Sequence, residues 1–316
     1  MHLAKRSAVR PISRSFRPSI EVLEGRALPS AGITIVGHEM DVQADNAGST
    51  ISVTDDGNGT LSAWVKTGTQ TISQIGHGIN KVVIHGGDGN DVVYFQTSGI
   101  LRQALELDVD TGAGSDRENL NLQRGINGTA LTTNLTEGPG ADSINLSFGS
   151  IQNANVNVNA SLHSSRDYFS SVVFYGVSGN STLNYNIQGN GSADHVDLNL
   201  MGKIDSTATV NVLDQNTPNA NDRLSIRYRG ELDGALNINV QQAAVWYGVQ
   251  SQFTLYPAST GQINLKLSDA WYEYDSSLVV TDHTGGNKVS IIDPLQEILT
   301  SPSGTQVTAQ SPKPLV

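Results

Sequence analysis

Between residues 86 and 229 one pattern keeps returning: a short loop of small or polar residues that ends on an aspartate, then a strand in which apolar and polar residues alternate. The aspartates are Asp91, Asp116, Asp142, Asp167, Asp194 and Asp222, separated successively by 25, 26, 25, 27 and 28 residues. A second alternating run follows in each unit: ALELDVD, ALTTNL, NVNVNA, TLNYNI, ATVNVL and ALNINV. Each unit thus holds two period-two strands and no helical stretch. One such unit has too little apolar surface to bury its own face, whereas stacked units share a continuous narrow core. The expected fold is all-β, a parallel β-solenoid or β-helix with coils of about 26 residues, one coil per repeat. In Asn155–Asn159 the alternation sends Val156 and Val158 to one face and the amides to the other, where successive coils can stack them into ladders.

Composition supports a thin core. Hydrophobic residues make up 37% of the 316-residue chain and aromatics only 6%, while glycine reaches 32 residues. The apolar residues are patterned rather than scarce, which argues against general disorder. The formal charge is −11, and it is unevenly spread. Residues 1–26 hold Lys5, Arg6, Arg10, Arg14, Arg17 and Arg26 against Glu21 and Glu24, so the acidic excess falls on the remainder. An acidic body disfavours nucleic acid as a partner and makes divalent cations its natural counter-ions. With no cysteine, disulfides, zinc-thiolate sites and cysteine nucleophiles are excluded together. No run of 18 consecutive apolar residues is present, so no membrane-spanning helix is expected.

The repeat divides the chain. Residues 1–31 form a basic leader expected to be mostly disordered, and residues 32–80 an N-terminal β segment with a hairpin around Asp56-Gly57-Asn58-Gly59. Residues 81–240 form the solenoid, and residues 241–299 a C-terminal β region whose aromatics close the stack. Residues 300–316, rich in Ser, Thr and Pro, read as a disordered tail.

The first loop, Gly86-Gly87-Asp88-Gly89-Asn90-Asp91, has almost no side chain besides carboxylates and an amide. One reading is a tight solenoid corner in which the aspartate accepts backbone hydrogen bonds. The other is a cation site, with bent backbone offering carbonyls and the aspartate supplying charge. Gly86 to Tyr94 resembles, position for position, the Gly-Gly-any-Gly-any-Asp-any-apolar-any nonapeptide of repeats-in-toxin calcium-binding proteins. The second loop keeps Gly112, Gly114 and Asp116, and the third keeps Gly138, Gly140, Asp142 and Ile144. The resemblance implies a calcium ion between loops of neighbouring coils. Its ligands would be drawn from Gly86, Asp88, Asn90, Asp91 and Asp116, with a second site joining Asp116 to Asp142. At the N-terminus, RPSIEVLEGRALPSA is similar to the short leader of many exported or surface proteins of planctomycete bacteria, which implies a secreted or cell-surface destination.

An enzymatic alternative starts from Glu106, Asp108 and Asp110, which share one strand face. Their spacing of about 6.8 Å per pair falls in the window of about 6.5–9.5 Å for an inverting glycosidase pair. The 25-residue shift sets Lys81 beside Glu106 and His85 beside Asp110, which equally describes a solvated ion-pair face. His77 and His85 read as exterior polar residues, and no nucleophile-elbow, phosphate-loop or His-Glu-x-x-His motif is present. Two functions remain. The first is an exported, non-enzymatic, calcium-binding solenoid with a structural or adhesive role at the cell envelope or extracellular matrix. The second is a β-helix polysaccharide lyase, glycoside hydrolase or carbohydrate-binding module acting on extracellular polysaccharide.

Overall fold

The computed structural model describes residues 31–163, 165–189, 193–214, 222–242, 246–255, 259–268, 277–282, 288–292 and 307–310. The chain winds into a parallel β-solenoid with two long sheets, of eleven and twelve strands, and a narrow third face of three short strands. One coil shows the path. Leu105–Gly112 runs in the first sheet, the chain turns at Asp116, and Arg117–Leu122 runs in the second. Ile126–Asn127 then crosses the third face, and Ala130–Glu137 begins the next coil, parallel to Leu105–Gly112.

The alternation predicted from sequence sets this geometry. Along Asn155–Ser161, Val156, Val158 and Ala160 are buried while the residues between them are not. Stacking in register turns each inward position into a column running the length of the solenoid. Phe95, Leu120, Leu146, Ser171, Leu198 and Ile226 form one such column. Ser171 is the small member, and its hydroxyl lies 2.8 Å from the hydroxyl of Tyr185, which reaches across from the first sheet. A large residue on one wall is thus met by a small polar one on the other, which fills the core and satisfies the buried phenol together.

Outside, amides form the ladder expected of them. The Asn159 amide donates to Asn134 (2.8 Å), Asn186 to Asn159 (2.9 Å), Asn211 to Asn186 (2.8 Å) and Asn239 to Asn211 (2.8 Å). Asn134 in turn donates to Asp108 (2.6 Å), so the ladder is anchored at that end by a carboxylate.

The N-terminal end of the stack is closed by antiparallel pairings added outside the first parallel strands. Gly32–Val36 and Glu39–Gln43 pair antiparallel on the edge of the first sheet. Ser49–Asp55, Thr60–Thr67 and Gln70–His77 form an antiparallel meander on the edge of the second, with Asp56–Gly59 as the first turn. Antiparallel strands here keep the parallel coils from presenting a bare edge. Val307–Gln310 pairs antiparallel with Ser277–Val280. The basic leader up to residue 30 and most of the C-terminal tail lie outside the described residues.

Candidate metal centre

The corner joining the two long sheets is where the repeated aspartates stand, and they are stacked one above another. The backbone N–H of Asp91 donates to Oδ1 of Asp116 (2.7 Å), that of Asp116 to Asp142 (2.8 Å), that of Asp142 to Asp167 (3.0 Å) and that of Asp167 to Asp194 (3.1 Å). At the N-terminal end Ser49 N–H donates to Asp91 (2.5 Å), so the non-repeat strand joins the same column. Every one of these aspartates is buried, with between 0% and 3% of its surface exposed. The corner needs the acceptor because a turning backbone directs an N–H inward that no strand partner can reach. The Asp222 side chain lies outside the described residues.

The glycines have a separate cause. A Cβ on Gly138 would fall 1.7 Å from the Gly112 carbonyl oxygen, and one on Gly140 would fall 1.2 Å from the Gly114 oxygen. Adjacent corners therefore pack backbone on backbone, and the first three loops admit no side chain there.

Each corner carboxylate has two oxygens, and the ladder uses one. Oδ2 of Asp91, Asp116 and Asp142 is buried and has no hydrogen-bond partner among the described residues. Asp167 differs, because its Oδ2 accepts the His163 N–H (3.0 Å). Two further acids point into the core beside this corner. Glu118 is fully buried in the inward column that otherwise holds Val93, Ile144, Phe169, Val196 and Leu224. Glu137 ends the first-sheet strand of the next coil and is 1% exposed. Its Oε2 accepts the Thr111 hydroxyl (2.8 Å), while among the described residues its Oε1 and both oxygens of Glu118 have no partner except each other's carboxyl, which can share a proton. One carboxylate oxygen from each of Asp116, Glu137 and Asp142 lies within 4.8 Å of the others.

Burial governs the charge state of the cluster. Loss of hydration pushes the Asp91 and Asp142 carboxyls up to about 6 and Asp167 up to about 7, and it raises Asp116 as well. Glu137 is pushed up to about 8. Glu118 stands well above the usual carboxylate range, first through burial and then through the adjacent charges of Glu137, Asp116 and Asp142. No lysine or arginine forms an ion pair with these acids among the described residues. Such a set holds either protons or a cation. The oxygens fit a hard ion: calcium takes six to eight oxygen ligands at about 2.3–2.6 Å, so donors separated by up to twice that distance can share one ion.

The residues expected from sequence separate into inner and outer groups. Asp91, Asp116 and Asp142 line up along the inner corner. Gly86 is buried, and a Cβ on it would meet both the Thr111 carbonyl oxygen and Asp91 Oδ2. Asp88 and Asn90 are exposed on the outer side of the loop: Asp88 accepts from the Asn46 amide (3.1 Å) and Asn90 Oδ1 from the Ser115 N–H (2.8 Å). The Gly87 carbonyl is taken by the Ala113 N–H (2.8 Å).

Glu106, Asp108 and Asp110 lie on the outer face of their strand, with Lys81 paired to Glu106 and His85 to Asp110 in the parallel register. The Lys81 ammonium bridges Glu106 (2.8 Å) and Asp108 (3.0 Å), and Asp110 is exposed. Sequence reading passed over Glu118 and Glu137. Their signal was phase: Glu118, Leu120 and Leu122 share one face, as do Leu131, Thr133, Leu135 and Glu137, so each glutamate occupies an inward position.

Comparison of the chain with protein-family models, with curated proteins and with solved structures returns no match.

Proposed function

We propose that this protein is an exported, non-enzymatic β-solenoid that binds calcium through the inward carboxylates of its acidic corner and acts as a structural or adhesive rod at the cell envelope or extracellular matrix. The observation that carries the reading is the corner column itself. Asp91, Asp116 and Asp142 each present one buried oxygen with no partner, stacked coil upon coil in a protein of net charge −11. Unpaired buried carboxylates are costly, and a divalent cation relieves that cost by binding the folded chain alone. The basic leader, similar to those of exported and surface proteins, supports the destination.

Calcium then raises the melting temperature and chelator lowers it, since a ligand of the folded state stabilises that state. A melt that stays unchanged with calcium in millimolar excess removes calcium from the proposal. Fractionation of the native host tests the destination separately, where recovery in the cytosolic fraction alone would count against it.

The polysaccharide reading keeps one supporting observation. A shallow groove of about 520 Å³ runs along the amide ladder, lined by Asn134, Asn159, Asn186, Asn211 and Asn239. Those amides already bond one another along the stack, and the groove lacks the carboxylate pair that hydrolysis requires. We therefore favour the structural role.

A further inference from the structure

We infer that the core of the two coils carrying Glu118 and Glu137 is a single interior calcium site, with Asp116, Glu137 and Asp142 as side-chain ligands and Glu118 facing the same space. The inference rests on the calcium reading above and locates the ion: inside the solenoid wall, on side chains, and not in the outer Gly-rich loop.

Position is the first argument. Every neighbour of Glu118 in its column is apolar, Val93 on one side and Ile144 on the other, and the column continues with Phe169, Val196 and Leu224. Glu137 is likewise buried, at the end of the inward row Leu131, Thr133 and Leu135, where a register shift pairs it with Gly112. A valine or isoleucine would fit the Glu118 place by the standard of the adjoining coils. Two acids break the apolar phase, in consecutive coils, on opposite flanks of one corner. Asp116 and Glu118 come from one coil, Glu137 and Asp142 from the next, so the four converge from both.

Ligation is the second argument. Glu118 is fully buried, and among the described residues its oxygens meet only the Glu137 carboxyl, which can share a proton with it but supplies no positive charge. Oε1 of Glu137 and Oδ2 of both Asp116 and Asp142 are also buried and unpartnered. Packing explains none of these atoms, while the spacing of one oxygen each from Asp116, Glu137 and Asp142, within 4.8 Å of one another, admits one ion touching all three. The same corner in the Asp167 coil lacks the device, since Phe169 stands at the Glu118 position and the spare Asp167 oxygen takes the His163 N–H. The site is therefore local to one coil pair, whereas the aspartate ladder runs on beyond it.

The experiment uses the full chain, stripped of metal by chelator, and reads calcium stoichiometry by titration calorimetry together with the calcium-induced rise in melting temperature. Four proteins are compared: wild type, Glu137→Gln, Glu118→Leu and Asp88→Asn. Glu137→Gln is expected to bind one calcium fewer per chain and to lose the rise. Glu118→Leu is expected to melt, without calcium, no lower than wild type, because leucine matches its column, and to bind calcium at least about tenfold more weakly. Asp88→Asn, on the exposed outer side of the Gly-rich loop, should keep both the stoichiometry and the rise.

If Glu137→Gln retains the wild-type stoichiometry and rise while Asp88→Asn loses them, the interior site is wrong and calcium binding survives on the outer Gly-rich loop. If Glu137→Gln merely stabilises the metal-free protein and leaves calcium binding untouched, the two glutamates share protons and the site is again refuted. A wild type that does not respond to calcium refutes both.

Discussion

Asp167 offers the sharpest test of the column, because both of its oxygens are engaged and it stands one coil beyond the proposed ion. Its Oδ1 accepts the buried Asp142 N–H and its Oδ2 the half-buried His163 N–H, each at 3.0 Å. Asp167→Ala strands both donors. An orphaned buried N–H costs about 1–3 kcal/mol, and the His163 N–H costs less because water reaches it, so a total loss of about 2–3 kcal/mol is expected. Asp167→Asn keeps one acceptor for Asp142 and should lose only about 1 kcal/mol. Urea unfolding in the presence of chelator measures both values.

A second arm varies pH. Burial pushes the Asp167 carboxyl up to about 7, with the Asp142 charge adding to the rise and the two accepted N–H groups opposing it. In the unfolded chain the same carboxyl titrates near 3.9. Between those values the folded state holds more protons than the unfolded one, so the contribution of Asp167 is fully present below about pH 4 and is lost as pH rises through about 7. Alanine abolishes that dependence, so its deficit must shrink from about pH 5 to about pH 8. Equal losses for Ala and Asn would show that the ladder bonds do not hold the corner. A deficit that grew with pH would mean the two accepted N–H bonds outweigh burial and hold the carboxylate as an anion.

Two contrasts complete the tests. Gly138→Ala drives a Cβ into the Gly112 carbonyl, a backbone atom that cannot yield, and should cost at least about 3 kcal/mol or prevent folding. Gly128→Ala has open space around it but a φ of +69°, so strain alone should cost about 1–2 kcal/mol; equal effects from the two would deny that the corners pack backbone on backbone. In the exterior ladder, Asn186→Ala removes bonds to both Asn159 and Asn211, and denaturant unfolding should register about 1–2 kcal/mol, since solvent replaces part of what is lost.

The architecture was legible because it is written twice in the sequence, once in the period of two along each strand and once in the 25–28-residue spacing of the aspartates. Together these fix which residues face inward and which coil lies on which. The register they imply, Lys81 on Glu106 and His85 on Asp110, is the register of the structure. The loop chemistry was harder to read. The glycines suited both a cation cradle and a crowded corner, and only coordinates show the Gly112 and Gly114 carbonyls standing where side chains would be. Nor does a repeat show which oxygen of an aspartate serves the next coil's backbone and which is left over.

The glutamates were missed for a physical reason that bears on the fold itself. A motif search asks which acids sit in loops, because a loop is where charge is normally affordable. In a stacked solenoid the costly acids are those in the strand's inward phase, and they look ordinary in sequence because Asn and Asp crowd the outward phase beside them. Glu118 is flanked by Arg117 and Asn119, both of which face away from the core it enters. The column test removes that camouflage, since the stack Val93, Glu118, Ile144 has one member that cannot be there for packing. A fold of this kind tolerates such a residue only when a proton neutralises it or something in the same two coils answers its charge. Thr111 answers one oxygen of Glu137, and the rest meet only each other's carboxyls, with no cationic side chain among the described residues. The corner acids therefore do two jobs in succession: one oxygen of each closes the backbone of the preceding coil, and in the coils of Asp116 and Asp142 the other oxygen turns toward the glutamates, where a shared cation would complete the wall.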